Sequence, residues 1–158
     1  PFLKRHTHLP QFYLGVAFGW GIPMGFAAQI GTVPAVAWVM FLANMFWSVA
    51  YDTQYAMVDR DDDISIGLKS TAILFGNHDL MILRILKLVM VALLVWLGFI
   101  LNLNWPWFAG VAVAAALFAW QQYQVRNRNR DACFKAFLNN KWVGVAIGAG
   151  VLVDYAWG

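Results

Sequence analysis

The sequence predicts an all-α membrane protein, a polytopic transmembrane helical bundle with about five spans, and three observations carry that prediction. Of the 158 residues, 61% are hydrophobic and 12% charged; soluble domains carry about 45–50% apolar and about 25% charged residues. Such a chain cannot cover a water-facing surface, which excludes a soluble globular domain. Five apolar stretches, residues 11–30, 35–58, 80–101, 106–125 and 142–157, approach the roughly 20 residues that a helical span requires. An open sheet in lipid would leave backbone groups unpaired, so all five are read as helices. If the spans alternate in direction, all eleven Lys and Arg residues fall on one side.

The opening segment, PFLKRHTHLP, is polar and basic. It begins with Pro1 and has no signal-peptide pattern, so the chain is expected to be an internal piece joined to a span upstream. His6 and His8 stand two apart, and a metal site would need further ligands at matching positions; they are read as interfacial loop residues. The first apolar stretch holds Gly15, Gly19, Gly21, Pro23 and Gly25. That content predicts an interior helix that kinks or packs its backbone closely on its neighbours. The third, DLMILRILKLVMVALLVWLGFIL, is the clearest span, and Arg84 and Lys87 near its charged end are expected to snorkel.

The remaining basic residues lie before the first span (Lys4, Arg5), between the second and third (Arg60, Lys69), and between the fourth and fifth (Arg126, Arg128, Arg130, Lys135, Lys141). This asymmetry predicts that the charged side is cytoplasmic, as expected of a bacterial inner-membrane protein. It also accounts for RNRNR at residues 126–130 without nucleic-acid binding. Trp38, Trp105, Trp107 and Trp157 are expected at the opposite interface, with Asp154 capping or anchoring the last span. The single cysteine, Cys133, excludes a disulfide framework or a cysteine-rich zinc site and is read as an inert thiol. With no repeat or low-complexity segment, residues 1–158 read as one domain or part of one.

The acids are spent unevenly. There is no Glu, and five of the eight Asp lie in YDTQYAMVDRDDD, residues 51–63. At about 100° per residue, Asn44, Ser48, Asp52, Tyr55, Asp59, Asp62 and Asp63 share one stripe if the second helix continues to about Asp63. A carboxylate facing lipid costs about 2.5–3.5 kcal/mol on insertion scales, so the stripe is expected to line a cavity. Its spaced carboxylates suit a hard cation such as Mg²⁺, which commonly bridges to a phosphate-bearing ligand, whereas Arg60 to Asp63 alone would also suit a solvated loop. Downstream, IGLKSTAILFG offers Gly67, Ser70 and Thr71 as donors and Lys69 as a point charge for a diphosphate. The alternative reading of Ser70 is a helix cap.

These two segments together resemble the second aspartate-rich region of the 4-hydroxybenzoate polyprenyltransferases of ubiquinone biosynthesis, within the UbiA superfamily of intramembrane prenyltransferases. KRHTHLPQ, FGWGIPM, FLANMFWSVAYD and ACFKAFLNN extend the resemblance over most of the chain. It implies the C-terminal portion of a nine-helix enzyme that transfers a polyprenyl group from polyprenyl diphosphate to the ring carbon ortho to the 4-hydroxybenzoate hydroxyl. Asp59 and Asp63 match the DxxxD core that holds Mg²⁺, and Asp52 and Tyr55 match the positions leading into it. The family's first motif, of the NDxxDxxxD type, does not occur in this chain. The chain is therefore expected to need a missing N-terminal portion and to be inactive alone. Implied roles are catalytic for Asp52, Asp59 and Asp63, and substrate-binding for Arg5, Tyr55, Lys69 and Asn44, with Tyr51, Tyr55 or Trp47 shielding an allylic cation. The competing reading is half of a cation-coupled transporter, suggested by the Gly/Pro-interrupted first stretch and the membrane carboxylates. Transporter sites usually lie at the midplane, and this cluster lies at the end of its span.

Overall fold

A missing backbone donor shapes the first apolar stretch. In the computed structural model, which describes residues 2–157 and only the backbone of Trp157, a short α1 (Leu3–His6) leads into α2 (Pro10–Gly19) and α3 (Gly21–Ile30). Pro23 has no N–H to give the Gly19 carbonyl, so the helical ladder is interrupted there although Trp20 keeps right-handed helical angles. Glycine then allows close approach: a Cβ at Gly15 would stand 3.2 Å from the Met45 carbonyl oxygen. Both alternatives expected of this stretch, a break and a close backbone contact, are present together.

The second stretch forms the central helix, α4 (Ala35–Val58), which packs on α2, on α7 (Asp79–Ile100) and on α9 (Arg130–Trp157). Its alanines at 37, 43, 50 and 56 are buried, so neighbouring helices come close on several sides. The helix does not run on to Asp63. It breaks at Asp59 (φ −90°, ψ 0°) and restarts as α5 (Arg60–Ser65), followed by α6 (Thr71–Phe75). Consequently the polar stripe is continuous only through Tyr55, and Asp62 and Asp63 are re-aimed by the break.

At the far end α8 (Trp105–Gln124) packs on α9 through small residues. A Cβ on Gly110 would lie 2.6 Å from the Ala146 carbonyl oxygen and 3.1 Å from Gly150 Cα. Lipid gives little hydrophobic drive between helices, so this backbone proximity and its dispersion contacts supply the association. Two apolar clusters stack along the bundle. One joins Ala43, Met90, Leu94, Trp107, Phe118 and Val143; the other, nearer the charged end, joins Ala50, Ala56, Ala72, Leu83, Cys133 and Ala136.

Trp107 corrects the expectation of an interface ring. It is 5% exposed and its indole N–H donates to the Leu94 carbonyl at 3.1 Å, so it is a core residue, whereas Trp38 and Trp105 are exposed. Lys87 likewise does not snorkel, being 4% exposed. Asp154 anchors as expected, its carboxylate accepting from the backbone N–H of Asn104 at 2.7 Å where α8 begins. Pro1, and the Trp157 indole expected at the far interface, lie outside the described residues.

All regular structure among the described residues is helical. Three runs, Ala35–Val58, Thr71–Ile100 and Arg130–Ala156, are long and apolar enough to cross a membrane. The first and fourth expected spans differ from these for visible reasons: one is two ten-residue helices, and the other carries Gln121, Gln122 and Gln124 in its last turn.

Candidate active site at the charged end of the bundle

The face of α4 that carries Asn44, Ser48, Asp52 and Tyr55 is flanked by two cavities. One, of about 540 Å³, lies between α2, α4 and α9 and is lined by Asn44, Trp47, Ser48 and Tyr51 with Phe137 and Lys141. The other, of about 380 Å³, lies between α1–α2 and α4, and Asp52 and Tyr55 line it opposite Lys4, Gln11 and Tyr13. A wall of rings joins them. Trp47 meets Tyr51 edge-on at 5.9 Å, Tyr51 meets Phe137 at 6.0 Å, and Phe137 meets Tyr55 at 5.1 Å.

A buried chain of amides holds that wall. The Trp47 indole donates to Asn140 Oδ1 (3.0 Å), Asn140 Nδ2 to Gln54 Oε1 (3.0 Å), Gln54 Nε2 to Gln121 Oε1 (3.5 Å), and Gln121 Nε2 to Asn139 Oδ1 (3.2 Å). Gln54 and Gln121 are fully buried. Amides in a low-dielectric interior are costly unless paired, so the chain fixes the register of α4, α8 and α9 behind the cavity. Half of the signal for it is in the sequence: Gln54 and Gln121 lie inside otherwise apolar stretches, whereas Asn139 and Asn140 sit in the polar connection before residue 142.

The carboxylates divide into partnered and unpartnered groups. Asp63, almost fully buried in α5, receives both oxygens' hydrogen bonds from Lys4 Nζ, at 2.9 and 3.1 Å. The Lys4 carbonyl in turn accepts from the Lys69 backbone N–H at 2.8 Å, tying the opening segment to the loop before α6. In sequence Lys4 is one of several basic residues; the structure makes it the partner of the buried acid of the block. Asp52 is half-buried, with Lys4 and Asp59 the charges that act on it. Asp59 is half-buried at the helix break, and its carboxylate has no protein partner among the described residues. Asp62 is exposed and pairs with Arg130 at 2.8 Å.

Other expected ligands are placed less directly. Arg5 is exposed on α1, and neither Arg5 nor Lys69 lines the two cavities. The hydroxyls proposed to clamp a diphosphate are committed elsewhere: Ser70 caps α6 by accepting from the Ile73 N–H, and Thr71 Oγ1 is 2.8 Å from Thr53 Oγ1. The Thr71 N–H also donates inward, to Gln11 Oε1 at 3.0 Å. Burial of Ser70 and Thr71 removes them from the clamp and leaves the Lys69 side chain as its remaining cationic member.

Two acids of the block, Asp59 and Asp63, are oxygen donors of the kind Mg²⁺ prefers. Among the described residues no group of three His, Cys, Asp or Glu is gathered closely enough to hold a metal. The pair therefore suits Mg²⁺ in donor chemistry and supplies part of a coordination shell.

The chain as a whole has counterparts among known proteins. Residues 1–145 match the UbiA prenyltransferase family. The chain is 58% identical over 155 residues to the 4-hydroxybenzoate octaprenyltransferase of Enterobacter sp. (strain 638), covering 98% of this chain and 54% of that protein. It is 57% identical to the protein of the same name from Salmonella newport (strain SL254), covering 53% of it. The chain thus spans about half the length of the curated relatives it matches. Among solved structures, the apo structure of a UbiA homologue from Aeropyrum pernix K1 superposes with a TM-score of 0.81 at 26% identity, over 98% of this chain and 58% of that one. A match over most of the chain, carried by sequence and backbone alike, establishes the affiliation: the chain belongs to the UbiA prenyltransferase family.

Proposed function

We propose that the chain forms the C-terminal half of a Mg²⁺-dependent enzyme of ubiquinone biosynthesis that transfers a polyprenyl group from polyprenyl diphosphate to the ring carbon ortho to the hydroxyl of 4-hydroxybenzoate. The observation that carries the reading is the acid block at the charged end, with Asp59 unpartnered among the described residues and Asp52 lining a cavity that shares the ring wall. Residues 1–158 would be part of one membrane domain of nine helices, contributing five spans, with the charged end on the cytoplasmic side of a bacterial inner membrane. Support comes from the name and 58% identity of the Enterobacter relative. Nothing in the fold or the relatives favours the cation-coupled transporter.

In this reading Asp59 and Asp63 hold Mg²⁺ together with carboxylates from the other half of the enzyme. Bound there, Mg²⁺ supplies positive charge against a departing diphosphate. Lys69 and Arg5 add cations from the loop and from α1, for the diphosphate or the benzoate carboxylate. The electron-rich faces of Tyr51, Phe137 and Tyr55 shield the allylic cation from water as the carbon–oxygen bond breaks. Asp52 orients the phenol and accepts its proton, so that the ortho ring carbon forms the new carbon–carbon bond with the allylic cation as diphosphate leaves. The hydrogen on that carbon is then lost and the oxygen regains a proton as the ring rearomatises. Asn44 and Trp47 line the apolar side toward which the isoprenoid tail extends; there a further cavity of about 340 Å³ is walled mainly by apolar residues of α3, α4, α7 and α9.

The test is a chimera in which this chain replaces the matching half of the Enterobacter relative, assayed in membranes for prenylation of 4-hydroxybenzoate with Mg²⁺ and with a chelator. Activity that needs the metal supports the reading. Full activity without metal, or none in a chimera that folds and inserts, would overturn it.

A further inference from the structure

A second set of cations lines a groove that shares no residue with the two cavities beside the acid block. Between α7 and α8 is a groove of about 520 Å³. Arg84, Lys87, Leu88 and Val91 line it from α7 at helical spacing; Phe118, Gln122, Tyr123 and Arg126 answer from α8. None of its lining residues is acidic. Arg84, Lys87 and Arg126 have no carboxylate partner among the described residues, in contrast to Arg60, Arg128 and Arg130.

Lys87 is the informative member. It is 4% exposed, its ammonium has no hydrogen-bond partner among the described residues, and it lies over the Phe118 ring, 5.5 Å from the centroid. An ammonium inside a membrane span is costly unless an anion or water meets it, and intramembrane cations of this kind mark ligand sites. Lys87 lies about two turns into α7, while Arg84 and Arg126 stand nearer the charged end. Arg126 is held there by stacking over Tyr123, 3.7 Å from the ring centroid. The groove thus has a cationic mouth and an apolar floor of Leu88, Val91 and Phe118. A free phosphate would leave that floor empty, and a neutral lipid would leave the cations unanswered.

We propose that the α7–α8 groove binds an anionic phospholipid, with its phosphate among Arg84, Lys87 and Arg126 and one acyl chain along Leu88, Val91 and Phe118. Basic pockets between membrane helices at the charged face recognise headgroups in this way. The site is separate from the proposed prenyl-transfer site, and no residue of one belongs to the other.

The experiment uses the full-length chimera in detergent, with phosphatidylglycerol and phosphatidylcholine as probes and retained lipid counted by native mass spectrometry. Phosphatidylglycerol should be retained selectively and should raise the unfolding temperature. Each cation removed should weaken its retention about fivefold, the effect of one basic residue near an anionic surface. Lys87→Met removes a buried unpaired charge, and Arg84→Gln with Arg126→Gln alters only the mouth, so a folding failure in one leaves the other decisive. Equal retention of both lipids, or unchanged phosphatidylglycerol retention in the variants that fold, would overturn the proposal. Displacement of the bound lipid by polyprenyl diphosphate in competition, abolished by Lys87→Met, would also overturn it by making the groove a donor site.

Discussion

Two groups of carboxylates stand at the same end of this bundle and are treated in opposite ways. Asp79, at the start of α7, is fully buried and saturated: Arg60 and Arg128 both donate to it, and so does the Leu80 N–H. Arg128 adds a bond to the Asn77 carbonyl, closing a clamp across the ends of α4, α7 and α8. The block on α4 and α5 has more charge and less satisfaction. Asp59 has no protein partner among the described residues, Asp52 faces a cavity, Asp63 is neutralised by a lysine from the opening segment, and Asp62 pairs with Arg130 at the surface. Charge answered from within holds the fold together, whereas charge left unanswered at a cavity is available to a ligand.

Substitutions separate the two, and the largest effect is expected in the clamp. Asp79→Ala leaves Arg60 and Arg128, both partly exposed, facing each other without the buried carboxylate that both hold, a loss of about 3 kcal/mol; thermal unfolding in detergent reads it, with little protein surviving in membranes. Arg128→Gln leaves Arg60 to hold Asp79 and should cost about 1.5–3 kcal/mol by the same measurement. Lys4→Met removes the partner of a nearly buried Asp63. Because Lys4 keeps part of its surface in solvent, the expected loss is smaller, about 1–2 kcal/mol. If Lys4→Met proved as damaging as Asp79→Ala, the distinction between clamp and block would fail.

The helices were legible because lipid imposes one rule on every span, and the apolar stretches met it without needing tertiary knowledge. The acid block was legible for a related reason: carboxylates near a membrane span are costly enough to be informative wherever they occur. Its internal geometry was not. Nothing in YDTQYAMVDRDDD contains a proline or glycine to mark the break at Asp59, so helical periodicity carried the stripe too far. The Lys4–Asp63 pair joins residues 59 positions apart, and only packing of the opening segment against α5 could reveal it. Trp105 and Trp107 look alike in sequence, and their opposite fates depend on which side of α8 meets Gly98, whose missing side chain makes room for the Trp107 indole. Ser70 fits a diphosphate clamp or a helix cap by sequence alone, and its burial together with the Ile73 N–H bond makes it the cap.

The smallest expected effect on stability belongs to Asp59, and it gives the most direct test. Asp59→Asn in the full-length chimera keeps shape and removes a charge that no described residue of this chain answers, so unfolding should shift by no more than about 0.5 kcal/mol. Prenylation of 4-hydroxybenzoate should fall at least about 100-fold, the scale for losing one electrostatic contributor to a transition state. The measurement is the initial rate of that prenylation at saturating Mg²⁺, on protein whose unfolding temperature has been matched to the parent. A loss of rate with stability intact is the predicted result; a parental rate in Asp59→Asn would contradict the assignment of the unpartnered acid block to chemistry.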